Sequence, residues 1–392
     1  METNPVTLRI ASCAEDRERV YRFRYRIYVQ EMGKRIFDAD HQRACLQDDD
    51  DDGARLWMAE QGDELVATLR FQWGGEVEFS SYWRDVYGLP HFLAEFGGHA
   101  ISLTSRLMVE PKFRGSSVLA SMLSETYRSA RGLGVRFDFI NCTPGLVQFY
   151  ESLGYRRFTR GFVDRDTGYH VPMLFVLGGL AHMRQVRSVF SRVARHYAAD
   201  DSASEWFERH FPEHVTHLNK RLLDDDAFWQ LLSEKLADDP TRRVGLLDGL
   251  SEEDAQQFLQ LSSIMKFQAG DVLLRPGDIG DEMYVILSGG IEIRGDVPGA
   301  SGAEKRKSLA QLGSGQIFGE IAFVTRMRRT AWVIAESEGE VLILSQAALK
   351  RMMSRLPGVT SRVLFNLSLV LCERLSTATQ GWLGALTAAA DR

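Results

Sequence analysis

Three kinds of hydrophobic patterning follow one another along the chain. Residues 1–180 alternate short β-branched and aromatic runs with stretches of helical periodicity, which predicts a mixed α/β domain. Residues 181–245 show helical periodicity alone and predict a helical connector. From about residue 246, short apolar runs are separated by glycine-containing turns, as in AGDVLLRPGD and LGSGQIFGE. That texture is typical of a small β-barrel or jelly roll.

A helix with apolar periodicity follows this β-rich region. It covers SRVLFNLSLVLCERL, residues 361–375. The apolar positions that fall on one face are Val363, Leu364, Leu367, Val370, Leu371 and Leu375. We therefore predict that residues 246–380 form one domain with a C-terminal helix, followed by a short tail at 381–392.

Composition excludes several classes of partner. The chain has 392 residues, 44% hydrophobic and 26% charged, with a formal net charge of −6. Because nucleic-acid binding usually needs a basic domain, we expect no nucleic-acid partner.

The longest apolar run, VPMLFVLGGLA, is about half the length that crosses a bilayer, and the N-terminus lacks a signal-peptide pattern. We expect a cytoplasmic protein with no integral membrane segment. The spacing of the four cysteines indicates neither a metal site nor a disulfide framework.

One loop in the C-terminal region carries opposite charges. In FGEIAFVTRMRRTA, Gly319 permits close backbone approach, and the residues that follow can start a helix whose free N–H groups face an anion. Arg329 offers a fork suited to a phosphate. The negative charge of Glu320 would be unfavourable beside a phosphate unless its carboxylate accepts a hydrogen bond from a hydroxyl group of the ligand. Glu320 and Arg329 together therefore indicate a phosphorylated sugar. The alternative is a simple turn with Arg329 in a surface ion pair.

Residues 264–345 resemble the cyclic nucleotide-binding domain, through GDVLLRPGDIGDEMYVILSGGIEI and then FGEIAF followed by RRTAWV. The resemblance implies that Glu320 holds the ribose 2′-hydroxyl and Arg329 the cyclic phosphate. Further ligand contacts are implied for Gly319, Ile321, Ala322, Thr330 and Ala331. We expect cyclic AMP as an allosteric ligand, and cyclic GMP remains an alternative because a hydroxyl at Thr330 suits either purine.

Two stretches of the first region carry its chemistry. In SLTSRLMVEPKFRGSSVLAS, a strand ends at Pro111 and small residues open a helix near Val118, where backbone amides are free for phosphate. With FYESLGYRRF, this stretch resembles the GNAT superfamily of N-acyltransferases. The resemblance implies that Tyr150 is a general acid near the thioester sulfur; the alternative is an aromatic that only packs. The donor-binding residues implied are Leu107, Met108, Val109, Arg114, Gly115, Ser116, Ser117 and Val118.

The segment RVYRFRYRIYVQEMG narrows the resemblance to autoinducer synthases and long-chain N-acyl amino acid synthases. Matching positions imply substrate contacts for Arg24, Tyr28, Asp48 and Arg70, and catalytic roles for Ser105 and Arg106. This branch mostly takes acyl chains from acyl carrier protein, which fits the bulkier Ser117 and Leu119 in the phosphate loop. Leu103 stands where the branch usually has Glu, so a related N-acylation is favoured over autoinducer synthesis.

Several charged residues keep alternative interpretations. The run DDDDD at 48–52 either organises an acceptor amine, pairs with the arginines or forms a solvated loop, which is the commonest structure for such a run. Asp138 and His170 are candidate bases that spacing does not single out, and Cys142 is a strand thiol.

The sequence therefore predicts an N-acyltransferase controlled by a cyclic nucleotide. The donor is an acyl thioester on acyl carrier protein or coenzyme A, and the leading acceptor is a small-molecule amine such as an amino acid. One alternative is a cyclic-AMP-gated protein lysine acetyltransferase. Another is a non-catalytic adaptor that binds acyl carrier protein. A homodimer is left open.

Overall fold

The computed structural model describes residues 5–197, 200–212, 222–259, 262–298 and 304–390. The chain divides into two compact units. Unit 1 comprises Met1–Leu222 and Val272–Ile279, and unit 2 comprises Leu223–Asp271 and Gly280–Arg392. The predicted connector is shared between them, because its helices up to His210 cluster with unit 1 and those from Asp225 with unit 2. Residues 213–221 of that connector lie outside the described residues.

Unit 1 is built on a mixed sheet. Its strands are β1 (Val6–Ile10), β2 (Ala39–Asp40), β3 (Cys45–Leu46), β4 (Arg55–Gln61), β5 (Glu64–Trp73), β6 (Ile101–Val109), β7 (Phe137–Cys142), β8 (Arg156–Arg157), β9 (Phe162–Asp164) and β10 (Gly168–Val176). The main sheet has the order β1-β4-β5-β6-β7-β10-β8, with β9 beside β10, while β2 and β3 form a separate ribbon. This confirms the predicted α/β class.

The helices of unit 1 lie between these strands and after them. They are α1 (Ala14–Tyr25), α2 (Ser81–Val86), α3 (Leu89–Phe96), α4 (Ser117–Gly132), α5 (Val147–Leu153), α6 (Leu180–Gln185), α7 (Ser191–Ala194) and α8 (Ser202–His210). A π-helical turn, Arg26–Glu31, continues α1.

Helix α8 belongs to the core of unit 1, although its sequence reads as part of a connector. Trp206 and Phe207 pack with Phe92, Phe137 and Phe139 in one buried cluster. Burial of each large aromatic side chain contributes roughly 1.5–3 kcal/mol. The aromatic face of α8 therefore makes this helix part of unit 1.

Strands β6 and β7 are parallel but stay together over a short distance only. Their register runs from Ile101↔Phe137 to Leu103↔Phe139, whereas β6 continues to Val109. Beyond Leu103 the two strands no longer pair, and we call the region between them the cleft. Arg106 has a φ of 52°, a left-handed conformation that is unusual for a residue with a side chain and marks a local distortion of β6 at this cleft.

Unit 2 contains the predicted β-rich domain. Its strands are β11 (Ser263–Phe267), β13 (Glu282–Ser288), β14 (Ile291–Pro298), β15 (Glu304–Leu312), β16 (Ile317–Phe318), β17 (Trp332–Ala335) and β18 (Gly339–Ser345), and the short strand β12 (Val272–Leu274) clusters with unit 1. One sheet has the order β11-β18-β13-β16, and a second contains β17-β14-β15. The two sheets confirm the predicted jelly-roll-like domain.

The helices of unit 2 flank these sheets. They are α9 (Asp225–Leu236), α10 (Pro240–Arg243), α11 (Glu252–Leu259), α12 (Glu320–Thr325), α13 (Gln346–Arg355) and α14 (Pro357–Ala390). Helix α14 is longer than the predicted helix at 361–375. On its predicted apolar face, Val363 and Leu367 are 2% exposed whereas Leu375 is 69% exposed, so this face is buried toward its N-terminal end and exposed at Leu375.

In the part of the chain that the structure describes, no helix combines the length and the apolar character that a membrane crossing requires.

Candidate functional sites

The loop before α12 places Gly319 next to Arg329, the residue predicted to bind the cyclic phosphate. Gly319 has a φ of 80° and is the N-cap of α12. A Cβ atom at this position would lie 2.8 Å from Nη1 of Arg329 and 3.1 Å from the carbonyl oxygen of Glu282. A side chain is therefore excluded by backbone conformation as well as by space.

Arg329 is held firmly inside unit 2. Its Nη1 donates to the carbonyl oxygens of Glu282 at 2.8 Å and Gly319 at 2.9 Å, and its Nη2 donates to Oε2 of Glu282 at 2.9 Å. The side chains of Arg329 and Glu282 are only 3% and 7% exposed. The alternative of a surface ion pair for Arg329 is therefore wrong.

Glu320 also has a charged partner. Nη1 of Arg374, on α14, donates to Oε1 of Glu320 at 2.6 Å, and Nη2 donates to the carbonyl oxygen of Ile317. The Glu320 side chain is 8% exposed and that of Arg374 is 32% exposed. The predicted ribose acceptor therefore already holds a guanidinium from the C-terminal helix.

The remaining residues predicted to contact the nucleotide differ in their exposure to solvent. Ala322 is buried, Ile321 is 41% exposed, and Thr330 and Ala331 lie at the surface side of the loop. Tyr284 and Phe318 stack at 4.7 Å behind it. Sequence reasoning missed Glu282 and Arg374, because only the folded register places a strand acid and a helix arginine beside the loop.

The acidic run at 48–52 turns inward in unit 1. Nη1 of Arg24 lies 2.8 Å from both carboxylate oxygens of Asp51, and both side chains are completely buried. Asp48 pairs with Arg70 and with Nη2 of Arg106, the latter at 2.5 Å. The solvated-loop interpretation is therefore wrong for Asp48 and Asp51, although Asp49 and Asp52 are exposed. The interpretation of these arginines as solvated surface charges is also wrong.

The same cluster connects Ser105 and Arg106, the predicted catalytic residues, to neighbouring elements. Nε of Arg70 donates to Oγ of Ser105 at 2.8 Å, and Trp83 donates to Asp50 at 2.7 Å. Burial alone would raise the pKa of Asp48, but Arg70 and Arg106 lower it to about 2. Asp48 is therefore ionised at neutral pH, with one positive charge on either side of it.

Tyr28 and Tyr150 both border the cleft and both are partly buried. Tyr28 lies in the π-helical turn, with Nζ of Lys34 4.4 Å and Cζ of Arg106 5.5 Å from its ring centroid. Tyr150 lies on α5, with its ring edge-on to that of Tyr155 at 5.5 Å. Loss of water contact raises the pKa of Tyr150 above its usual value.

Asp138 is a buried acid that the sequence did not single out. Its carboxylate accepts hydrogen bonds from Ser102 at 2.6 Å, Thr104 at 2.8 Å and Tyr155 at 2.6 Å. Burial raises its pKa to about 6 despite these three donors. It also lines a cavity of about 30 Å³ between α4 and the sheet, whose walls are mainly apolar.

His170, the other candidate base, has both ring nitrogens engaged. Nε2 lies 2.8 Å from Oγ1 of Thr167, and Nδ1 lies 2.5 Å from Oδ1 of Asn141. Burial lowers the pKa of His170 to about 4, so the imidazole is neutral at pH 7. Neither nitrogen is open to an incoming amine in this arrangement.

The predicted donor loop is satisfied by its own chain. Oγ of Ser116 accepts from the Val118 amide at 3.3 Å and donates to the Phe113 carbonyl at 2.6 Å, capping α4. Arg114 donates to the Val109 carbonyl and forms an ion pair with Glu31 at 2.7 Å. Gly115 has a φ of 86°, and Ser117 is the first residue of α4.

The backbone expected to polarise the acyl carbonyl lies beside the cleft. Met108 and Val109 pair with Thr68 and Ala67 of β5, and Leu107 precedes them on β6. Because β7 pairs with β6 only as far as Leu103, the edge of this part of β6 that does not pair with β5 borders the cleft. Among the described residues, no group of three or more His, Cys, Asp or Glu is arranged to hold a metal ion.

Comparisons with known proteins match both parts of the chain. The family described as N-acyl amino acid synthase FeeM matches residues 19–174, and the cyclic nucleotide-binding domain family matches residues 264–356.

Two curated relatives and one solved structure are similar over part of the chain. A putative potassium channel protein of Rhodopseudomonas palustris is 32% identical over 121 residues, 31% of this chain and 28% of that protein. The cyclic AMP receptor protein of Thermus thermophilus is 28% identical over 133 residues, 34% of this chain and 58% of the receptor. A cyclic nucleotide-binding domain from Methylobacillus flagellatus KT is 23% identical, with a TM-score of 0.35, covering 41% of this chain and 84% of that one.

The chain thus spans less than a third of the channel protein and just over half of the receptor. Both parts of the chain are nevertheless matched: residues 19–174 match the N-acyl amino acid synthase FeeM family, which indicates an N-acyltransferase, and residues 264–356 match the cyclic nucleotide-binding domain family.

Proposed function

We propose that this protein transfers an acyl group from a thioester to the amine of an amino acid or similar small metabolite, and that a cyclic nucleotide controls the rate. The observation that carries the proposal is the charged wall of the cleft. Arg106 and Asp48 lie 2.5 Å apart there, with side chains 20% and 18% exposed.

This pair suits both ends of an amino acid. A guanidinium binds a carboxylate through two parallel hydrogen bonds, and an ionised carboxylate binds an ammonium group. Arg106 and Asp48 thereby offer complementary charges to a zwitterion, while Arg24 and Arg70 hold the acidic loop in place from behind. The lysine side chain of a protein carries no free carboxylate beside its amine, so this wall favours a free amino acid.

The remaining steps use groups around the same cleft. Backbone amides near Met108 polarise the thioester carbonyl, and its oxygen gains negative charge as the amine attacks. Tyr150 protonates the departing thiolate, since its raised pKa keeps the phenol protonated at neutral pH. Asp138 lies behind Tyr150, joined to it through the ring of Tyr155.

Control by nucleotide follows from the pairs in unit 2. We propose that the cyclic phosphate binds at Arg329 and that the ribose hydroxyl competes with Arg374 for Glu320. Because Arg374 lies on α14, a nucleotide that takes over Glu320 changes the free energy with which this helix is held. A ligand alters an equilibrium only when it binds two arrangements with different affinity, and this competition provides the difference.

Product analysis tests the proposed activity. The chain is expressed in a bacterial host, and lipids and proteins are both examined by mass spectrometry. We expect N-acyl amino acids that are absent with the Arg106→Gln variant, which lacks the carboxylate-binding fork. Acetylated protein lysines without such products would support the acetyltransferase alternative, and neither product would support the adaptor.

Tyr150→Phe tests the proton donor. We expect the fold and donor affinity to be kept while kcat falls by roughly 10²–10⁴-fold, because the thiolate must leave without a proton. Tyr197→Phe is the matched control, since its hydroxyl lies 3.5 Å from a single backbone carbonyl, that of Arg128. Steady-state kinetics with near-normal turnover in the Tyr150 variant would assign this side chain to packing.

Donor preference tests the phosphate loop. The Ser116 cap already occupies the Val118 amide, and the Arg114 side chain is paired with Glu31, so a pyrophosphate would have to compete for one amide and one cation of the loop. We expect kcat/KM to be higher with an acyl carrier protein thioester than with the matching coenzyme A thioester. A reversed preference would contradict this account of the loop.

Arg329→Ala tests the nucleotide site. Calorimetry with cyclic AMP should show a loss of about 2–5 kcal/mol, because a buried charged partner of the phosphate is removed. Arg351→Ala, on the exposed face of α13, is the control and should bind normally. Unchanged affinity in the Arg329 variant would refute the assignment of this pocket.

A further inference from the structure

Tyr28 lies in a segment of uncommon backbone. The π-helical turn Arg26–Glu31 follows α1, and the amide of Met32 donates to the carbonyl of Ile27 at 3.0 Å, one residue further back than in an α-helix. Such turns are rare and are often found at functional sites. The chain then folds back, with the Lys34 amide 2.8 Å from the Tyr28 carbonyl.

This turn places two cations against one phenol. Nζ of Lys34 lies 4.4 Å from the centre of the Tyr28 ring, and Cζ of Arg106 lies 5.5 Å from it. Arg24 on α1 adds a third positive charge, while Asp48 offsets part of that of Arg106. Burial would raise the pKa of Tyr28, but Lys34, Arg106 and Arg24 outweigh it and lower the pKa below the usual 10.0.

Tyr150 borders the same cleft from α5. It lies close enough to Tyr28 for a negative charge on one phenol to disfavour a charge on the other. The two surroundings act in opposite directions, since cations favour ionised Tyr28 whereas burial favours protonated Tyr150. Two like groups whose surroundings differ in this way are suited to opposite proton-transfer roles.

Other candidate bases of the cleft are less suited. Asp48 is too weak a base, with a pKa of about 2, and both ring nitrogens of His170 are engaged. The carboxylate of Asp138 accepts from three hydroxyl groups. Leu103 is buried in an apolar cluster, so β6 supplies no acid at that position.

We propose that Tyr28 is the general base that removes the proton of the acceptor amine, with Tyr150 as the acid that protonates the leaving thiolate. This proposal rests on the proposed N-acyl transfer. Lys34 is a positioning residue for it, because it acts through the phenolate, whereas Arg106 faces the phenol and also binds the carboxylate of the amino acid.

The protons and electron pairs balance over one turnover. The bound ammonium group first releases one proton to solvent. The resulting neutral amine forms a bond from nitrogen to the thioester carbon, and its N–H proton passes to the phenolate of Tyr28. The carbon–sulfur bond breaks, its electron pair leaves with sulfur, and the thiolate takes a proton from Tyr150. Tyr28 has then gained one proton and Tyr150 has lost one. Transfer of a proton from Tyr28 to Tyr150, directly or through water, restores both.

The direct test is an ultraviolet absorbance titration of tyrosinate in the full chain. We expect wild-type protein to contain a tyrosine that ionises below the ordinary range, and we expect this step to be missing in Tyr28→Phe. Lys34→Gln should shift the step to higher pH, because one of the facing cations is removed. Wild-type protein without an early-ionising tyrosine would overturn the proposal.

Kinetics then separate the base from a packing role. With carrier-protein donor, Tyr28→Phe should lower kcat by roughly 10²–10⁴-fold. Lys34→Gln should move the rising limb of kcat/KM to higher pH, whereas a limb that belonged to the substrate amine would not move. Tyr197→Phe is again the control for loss of a tyrosine hydroxyl elsewhere in unit 1.

The outcomes distinguish this inference from the function on which it rests. Efficient transfer by Tyr28→Phe would overturn the base role and leave N-acyl transfer standing. An early-ionising Tyr28 in a chain that forms no N-acyl product with any donor would overturn both the base role and the proposed activity. Circular dichroism of each variant shows that a loss of rate is not a loss of fold.

Discussion

The end of the pairing between β6 and β7 at Leu103 is the constraint on which the proposed acyl-transfer site depends. A continuous sheet would use the backbone of β6 for pairing and would leave no room for a thioester. The strands instead stay in register for three residue pairs and then separate. Apolar side chains hold the joined end, with Leu103, Phe137 and Phe139 in one cluster, while Arg106, further along β6, is paired with Asp48. Hydrophobic packing thus fixes where chemistry is possible.

Both sites hold their charges in internal pairs. In unit 1, Arg106 is held by Asp48; in unit 2, Arg329 is held by Glu282 and Glu320 by Arg374. Pairing avoids the large cost of an isolated buried charge. It also fixes the direction of each guanidinium, so a ligand meets groups that are already oriented. An anionic ligand must therefore compete with an internal carboxylate for each arginine, either by sharing the guanidinium or by displacing the carboxylate.

The sequence predicted the elements better than the contacts. Periodicity gave the two kinds of β-containing domain, and the Gly319–Arg329 loop pointed to a phosphorylated sugar because its residue types are local in sequence. The sequence did not reveal Glu282 as the partner of Arg329, 47 residues away, or Arg374 as the partner of Glu320, 54 residues away, since pairing at such separations is set by tertiary structure. The sequence also favoured a solvated loop for residues 48–52. Composition does not show that Arg24 pairs with Asp51 and Arg70 with Asp48 in the folded chain.

The central claim is that one chain joins a nucleotide sensor to an acyl transferase, and that the two are coupled. The most direct measurement is the initial rate of N-acyl amino acid formation by the full chain, with and without saturating cyclic AMP. We expect a several-fold change in rate, which matches a coupling on the order of 1–3 kcal/mol. A rate indifferent to saturating cyclic AMP and cyclic GMP, in protein shown by calorimetry to bind them, would contradict it.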